Sequence, residues 1–397
     1  MAEALKRRIG PVLLTAYGVG VMVGAGIYVL VGAVAAHAGI YAPLAFLLAG
    51  LIAAPSALSY SELSTRIPQA AGEAAYIEAG FGSRTLGVIV GLGIVAAGTV
   101  SAAAVLRGGA GYLTGVFDLP WDIVVIVLGG GLITVALVGV LESLALAALF
   151  TMIEIGGLAL VIWAGWSAPV SPDWAAPASL YLPGIGVAAT LAFFAFIGFE
   201  DIVNMAEEVR NPTRTLPIAI IASLLITTLL YAGVTTAAVR AVPIDALALS
   251  DRPLALVYEA ARGGDGRMLS LIAVVAALNG VLAQMVMAAR VLYGLGQRGG
   301  VLGVFHHAHA RFGTPVFATL LVGVCVIVAA LTLPVADLAG VTSFILLIVF
   351  ALVNGALIDL KRRTPSAPFR VPNWVPYMGL VLSVLALVVF GLAGQGL

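Results

Sequence analysis

The chain has 397 residues, of which 62% are hydrophobic and 10% charged, and its mean hydropathy is +1.13. These values exclude a water-soluble domain and predict a polytopic membrane protein embedded in a lipid bilayer. The 19 basic and 19 acidic residues cancel, so the chain has no net field to attract nucleic acid, and no nucleic-acid partner is expected. The single cysteine, Cys325, cannot form a disulfide within the chain.

Eleven apolar stretches are long enough to cross a bilayer, which takes about 20 mostly apolar residues. We therefore predict an all-α protein with about eleven transmembrane helices and no separate soluble domain. The predicted spans are Pro11–Ala36, Ala42–Thr65, Leu86–Leu113, Ile123–Leu141, Leu144–Trp166, Gly184–Met205, Leu216–Val239, Met268–Tyr293, Val316–Leu333, Leu338–Leu360 and Val375–Gly394.

The distribution of lysine and arginine predicts the orientation of these spans. Fourteen of these residues fall on the side of the N-terminus and four on the other, with Arg107 left aside. Because cytoplasmic loops carry the excess of lysine and arginine, the N-terminus is predicted to be cytoplasmic and the C-terminus outside the cell membrane.

Two of the spans contain interruptions. Tyr17–Leu30, YGVGVMVGAGIYVL, carries Gly18, Gly20, Gly24 and Gly26 in the middle of the first span. Each glycine costs a helix about 1 kcal/mol relative to alanine. Phe193–Glu200, FFAFIGFE, interrupts the sixth span in a similar way. An alternative for the first stretch is that its glycines only allow neighbouring helices to pack closely.

The two interruptions lie at matching depths, because each falls about 14 residues into its span, or about 20 Å. The interruptions lie in the first and the sixth span, which are an odd number of spans apart, so the two halves of the chain enter the membrane from opposite sides. Interrupted segments at corresponding positions of inverted halves indicate a secondary transporter with a binding site near the bilayer midplane. The predicted division is a first repeat at 11–166, a second at 184–360 and an additional helix at 375–394.

Broken helices supply the unpaired backbone groups that such a site needs. In a bilayer these groups must otherwise be paired. The N-terminal end of a half-helix favours a carboxylate, and a C-terminal end offers carbonyl groups to an ammonium. This arrangement favours a zwitterion, an α-amino acid, as the ligand. A nucleotide site is not expected from the glycines, because that fingerprint needs a preceding strand in a soluble fold, and no cofactor is predicted.

Four motifs together touch most of the ten core spans. They are GVGVMVGAGI at Gly18–Ile27, YSELSTRIPQAAGEAAY at Tyr60–Tyr76, FFAFIGFEDIVNMAEEVRNPTRTLP at Phe193–Pro217 and LNGVLAQMVMAARVLYG at Leu278–Gly294. In this order the motifs resemble the amino acid–polyamine–organocation (APC) superfamily, and in particular its cationic amino acid transporter-like bacterial permeases.

The resemblance implies the inverted five-plus-five LeuT-type fold and a set of substrate-binding residues. Backbone N–H groups for the carboxylate would come from Gly24, Ala25, Gly26 and Ile27, carbonyl groups for the amino group from Phe194, Ala195 and Ile197, and ring cover from Phe194 and Phe199. The family usually has twelve spans, so the eleven found here leave contacts made by the last spans, and the oligomeric state, open.

Glu154 is the second departure from the family pattern, because several branches have a lysine in this part of the fifth span. It lies about 15 Å into that span, and Asn279 lies at nearly the same depth from the opposite side. A carboxyl group there is costly and needs an interior partner, for which Asn279 is the candidate. We predict that Glu154 carries a coupling proton. A structural hydrogen bond between helices, or a cation ligand, is the alternative.

Two further charged residues have open roles. Arg107 lies about 31 Å along the third span, so its guanidinium group is expected at the outer headgroups, with a role in an outer vestibule as the alternative. Glu200 follows the second interruption directly. It either attracts a cationic substrate, caps the unwound segment, or belongs to a structural network.

The prediction for the whole chain is a secondary active amino acid transporter working by alternating access, sodium-independent and proton-coupled. An exchanger of amino acids or polyamines is the closest alternative. An intramembrane enzyme would need a nucleophile and a base at one depth, and no such set is present, so the chain is predicted not to be an enzyme.

Overall fold

The computed structural model describes residues 9–24, 26–68, 72–138, 144–206, 208–296, 300–308 and 313–393. These residues form sixteen α-helices and no strand. The helices are α1 Pro11–Val23, α2 Gly26–Ala38, α3 Ala42–Arg66, α4 Gly72–Phe81, α5 Arg84–Thr114, α6 Trp121–Val138, α7 Leu144–Ser167, α8 Pro172–Ala175, α9 Leu182–Phe193, α10 Pro212–Ala241, α11 Ile244–Leu249, α12 Pro253–Arg262, α13 Arg267–Gly296, α14 Val316–Thr332, α15 Val335–Arg363 and α16 Trp374–Ala393.

The helices confirm the prediction of an all-α polytopic membrane protein. Nine helical stretches within the described residues are long and apolar enough to cross a bilayer, and α1 and α14 are shorter apolar helices. The first predicted span corresponds to α1 followed by α2, and the sixth to α9 followed by two 3-10 segments, Phe194–Phe196 and Glu200–Met205. Helices one and six are therefore interrupted, as a LeuT-type 5+5 transporter requires.

The outer faces of the helices are apolar, as a protein surrounded by lipid requires. Large hydrophobic side chains are exposed along α10 and α14, including Leu225, Leu229, Val324 and Val328. The interior is filled by small residues and by aromatic residues such as Tyr60 and Phe350. The bundle therefore presents apolar side chains outward and keeps its few buried charged groups inside.

Several of the segments that connect the spans contain short helices. The segment between the second and third spans contains α4, and the outer segment at 251–262 contains α12. The loop between the fifth and sixth spans includes one helical turn, α8, in which the Ser171 hydroxyl accepts a hydrogen bond from Trp174 N. This capping by serine explains why a proline-rich stretch forms a turn there.

The chain just before α1 lies beside the segment that follows the sixth span. Ile9 N donates to Glu208 O at 3.1 Å, and Arg210 N donates to Ile9 O at 2.9 Å, which forms an isolated parallel bridge between Ile9 and Val209. The first span therefore begins on the side of the bundle on which the sixth span ends. This arrangement agrees with the opposite directions expected for the two interrupted spans.

A buried ionic cluster joins α3 to α15 on that same side. Glu62 is fully buried and pairs with Arg66 at 2.6 Å and with Lys361 at 2.7 Å. Its second oxygen also accepts a hydrogen bond from Val371 N at 2.9 Å. The buried Glu62 carboxylate is thus paired with two cations, one from α3 and one from α15.

Candidate functional site

The first helix break lies between α1 and α2. α1 ends at Val23, Gly24 N donates to Gly20 O at 3.0 Å, and α2 begins at Gly26. Ala25, which was predicted to contribute an N–H group, lies outside the described residues. The break confirms that the first span is not a continuous helix.

The four glycines of the first span divide into two pairs with different functions. Gly18 and Gly20 lie within α1, where an added Cβ would overlap Ile202 and Thr151 respectively. These two glycines permit close helix packing, which was the alternative explanation for the whole stretch. Gly24 and Gly26 flank the break, as the prediction of an unwound segment required.

The second break follows α9. The 3-10 segment Phe194–Phe196 is followed by Ile197 in an extended conformation, with φ −62° and ψ 133°. Gly198 then adopts φ +124°, which L-residues with a side chain rarely adopt. The Glu200 carboxylate accepts a hydrogen bond from Gly198 N at 2.9 Å. Glu200 therefore caps the unwound backbone, one of the three roles considered for it.

The two breaks contact each other. A Cβ built on Gly26 would lie 3.1 Å from Ala195 Cα and 3.4 Å from Ala195 Cβ. A Cβ on Gly198 would lie 2.7 Å from Val21 Cγ1 and 3.2 Å from Met22 N. The predicted substrate-binding backbone thus forms one contiguous surface, and it is closed on itself. A ligand between the breaks requires them to separate.

The Tyr231 hydroxyl of α10 bridges the two breaks. It lies 2.7 Å from Met22 O and 2.8 Å from Ala195 O, so its single O–H is shared between these two carbonyl acceptors. The Phe194 carbonyl accepts a hydrogen bond from Ile197 N at 3.2 Å. Two of the three carbonyls predicted for the substrate, those of Phe194 and Ala195, therefore have partners inside the protein, although each keeps a second lone pair. Sequence reasoning missed Tyr231, whose only signal is a hydroxyl within an apolar span.

The two aromatic residues predicted to cover the site differ in position. Phe194 adjoins the first break, with Cδ1 3.7 Å from a Cβ built on Gly26. Phe199 packs into an aromatic cluster, with ring centroids 5.7 Å from Tyr60 and 5.2 Å from Phe350. Phe194 is thus placed to cover a ligand at the break, whereas Phe199 joins the unwound segment to α3 and α15.

Glu154 and Asn279 meet, as their depths in the sequence predicted. Asn279 Nδ2 donates to Glu154 Oε1 at 3.0 Å, and Glu154 is fully buried. Glu154 Oε2 has no hydrogen-bond partner within the described residues. The Tyr28 hydroxyl, just beyond the first break, donates to the Glu154 backbone carbonyl at 2.9 Å. The backbone of Glu154 is therefore linked to the helix that begins at the first break.

Arg107 does not contact the breaks. Its guanidinium donates to Ala330 O at 2.8 Å near the end of α14, and it lies 4.4 Å from the centroid of the Trp121 ring. These contacts join α5 to α14 and to the start of α6, where the guanidinium satisfies a C-terminal helix carbonyl. The contacts favour a structural function over the role in an outer vestibule that was considered as the alternative.

The sequence relationships agree with this geometry. The family model described as "Amino acid permease" matches residues 9–396. The branched-chain amino acid permease BcaP of Bacillus subtilis is 29% identical, over 96% of this chain and 87% of its own length. The mitochondrial cationic amino acid transporter 3 of Arabidopsis thaliana is 31% identical, over 91% of this chain and 63% of its own length.

A third relative, the methylthioribose transporter of Bacillus subtilis, is 27% identical over 97% of this chain and 88% of its own length. All three relatives are permeases or transporters, and none is an enzyme. With two interrupted helices that meet inside an apolar bundle and a family match over nearly its whole length, this chain belongs to the amino acid permease family.

Proposed function

We propose that this permease is a secondary active transporter that couples amino acid uptake to proton movement through Glu154. The observation that carries the proposal is a fully buried carboxyl group with one oxygen held by the Asn279 amide and the other without a hydrogen-bond partner among the described residues. No lysine or arginine of the described residues forms an ion pair with it. A proton is the simplest cation that such a group takes up and releases inside a bilayer.

We also infer where the amino acid binds. The N–H groups at the start of α2, from Gly26 and Ile27, would face the substrate carboxylate, and the carbonyls after α9 would face its amino group. The contact between Gly26 and Ala195 supports this site, since both sets of groups lie on one surface. Tyr231 would hold the breaks together without a ligand and exchange partners when they separate.

The names of the three relatives refer to different substrates, namely branched-chain amino acids, cationic amino acids and methylthioribose. We propose a cytoplasmic N-terminus in the cell membrane and an external C-terminus. The excess of lysine and arginine on the side where Ile9 meets Val209 supports this orientation.

The experiment compares Glu154→Gln with the wild type in proteoliposomes. Glutamine keeps the size of the side chain and can still accept the Asn279 hydrogen bond, but it cannot ionise. We expect accumulation driven by a pH gradient to fall to the level without a gradient. Counterflow of labelled against unlabelled amino acid, which needs no net proton movement, should continue.

The matched control is Glu259→Gln, the same change on the outer helix α12, which should retain both activities. Unchanged gradient-driven accumulation by Glu154→Gln would contradict proton coupling at this residue. If the wild type itself shows counterflow but no accumulation under a pH gradient, the protein is an exchanger.

A further inference from the structure

A second acid–amide pair lies on the other side of the breaks. Gln284 Nε2 of α13 donates to Asp201 Oδ2 at 3.2 Å, where Asp201 belongs to the 3-10 segment that follows the second break. The exposed fractions of the two residues are only 5% and 6%. Neither residue is used by the transport mechanism proposed above.

Gln284 Oε1 is a buried acceptor without a hydrogen-bond partner in the described residues. Such an oxygen costs on the order of 1–3 kcal/mol unless a donor reaches it. Gln284, Asp201 and Glu200 together line a cavity of about 10 Å³, whose other walls are apolar residues, chiefly of α5, α13 and α15. The polar groups beside Gln284 Oε1 are thus two carboxyl groups, which provide no donor when ionised.

A protonated carboxyl group would supply the hydrogen-bond donor that Gln284 Oε1 lacks. A neutral carboxylic acid carries one O–H donor, and an amide facing it can donate through N–H while it accepts through its carbonyl oxygen. We propose that Asp201 is protonated in this closed arrangement, that its O–H is the donor for Gln284 Oε1, and that Asp201 is a second proton-binding residue of the transporter.

The position of Asp201 indicates the direction in which its proton leaves. Asp201 lies between the second break and Val209, on the side where Val209 meets Ile9. The cavity is about the size that admits a single water molecule. On release, the O–H bond breaks, the electron pair stays on the carboxylate oxygen and the proton passes to water on the proposed cytoplasmic side.

Helix α13 connects the two acid–amide pairs. Asn279 and Gln284 are five residues apart on α13, a rise of about 7.5 Å and a rotation of roughly 140°. One amide therefore meets the acid of the fifth span and the other meets the acid of the sixth. A movement of α13 relative to the fifth or the sixth span would change both amide–acid hydrogen bonds. The proton site at Glu154 and the proton site at Asp201 would then open one after the other.

The other ionisable groups near Asp201 are few. Glu200 is its neighbour in the chain, and Glu73 of α4 and Tyr17 of α1 are in electrostatic contact with it. No lysine or arginine of the described part of the chain pairs with Asp201. A carboxylate formed there would face two further acids, which makes release of its proton depend on movement of the surrounding helices.

Infrared spectroscopy of protein labelled with 13C-aspartate tests this inference directly. The nine aspartates of the chain all lie in described segments, and Asp201 is the only buried one. We expect a protonated carboxyl band at neutral pH that shifts with the label and is absent from Asp201→Asn. In Gln284→Met the band should persist at a higher frequency, since the O–H loses its acceptor. The control Asp245→Asn, at an exposed outer position, should leave the band unchanged.

The absence of a label-sensitive protonated band from the wild type would overturn the inference. The link to transport rests on the proposed function and has a separate measurement, the number of protons moved per amino acid. Asp201→Asn should lower this number while counterflow continues, and an unchanged number would remove Asp201 from the proton path. If Glu154→Gln and Asp201→Asn both keep their proton coupling, the proposed function is refuted, whatever the infrared result.

Discussion

At the scale of single residues, Glu73 is a buried acid that lies outside the membrane-spanning helices. It lies in the first turn of α4 with an exposed fraction of 4%. Burial raises the pKa of Glu73 from 4.5 to about 7. The folded protein therefore binds this proton more tightly than the unfolded chain, so stability decreases as the pH rises from about 4.5 through about 7.

Glu73→Gln should remove this pH dependence. A shift of this size corresponds to on the order of 3 kcal/mol, so the variant should gain stability relative to the wild type between about pH 5 and about pH 8. Thermal unfolding of purified protein at several pH values measures the difference. Glu78→Gln, on the same helix at a partly exposed position, serves as the control. A constant difference between Glu73→Gln and the wild type across this range would contradict the account.

The polar pairs show what could be predicted about residues. Glu154 and Asn279 could be matched from the sequence, because an isolated acid in a span needs a partner and depth along a helix follows from residue count. Asp201 and Gln284 could not be matched in this way. Asp201 lies in a 3-10 segment beyond the second break, so its depth does not follow from an α-helical rise counted from the start of the span.

At the scale of elements, the two breaks are held together by one hydroxyl group. Tyr231→Phe would leave Met22 O and Ala195 O without this donor inside the protein. We expect a loss of about 1–3 kcal/mol of stability, which is the usual cost of an unpaired buried polar group. Thermal unfolding in detergent is the measurement.

The control for Tyr231→Phe is Tyr41→Phe, which removes a hydroxyl that donates to Ala178 O at an exposed position. Its loss should be smaller, since water replaces the hydrogen bond. Equal effects of the two substitutions would show that Tyr231 is not a specific link between the breaks.

The existence of both breaks could be predicted from glycine content and from the apolar segments around them. The assignment of individual glycines could not, because Gly18 and Gly20 differ from Gly24 and Gly26 only in what lies beside them. The continuation of the sixth span as a 3-10 helix at Glu200–Met205 was also not evident. Its conformation depends on the capping of Gly198 N by Glu200.

At the scale of the whole molecule, the spans could be predicted because apolar length depends on the bilayer more than on packing. Their orientation stays a prediction from the distribution of lysine and arginine. The bridge between Ile9 and Val209 places the ends of two inverted segments side by side. The contact of the breaks with each other could not be predicted, because it depends on how ten core helices pack. It defines the closed arrangement that the transport cycle must open.

The central claim is that an amino acid binds between the two breaks, which a disulfide across them tests most directly. A Cβ on Gly26 would lie 3.4 Å from Ala195 Cβ, close to the separation of about 3.5–4.5 Å found in disulfides. Gly26→Cys with Ala195→Cys, in a background in which Cys325 is replaced by serine, should bind no amino acid when oxidised. Reduction should restore binding, which excludes misfolding as the cause. A cross-linked protein that still binds amino acids with wild-type affinity would contradict the claim.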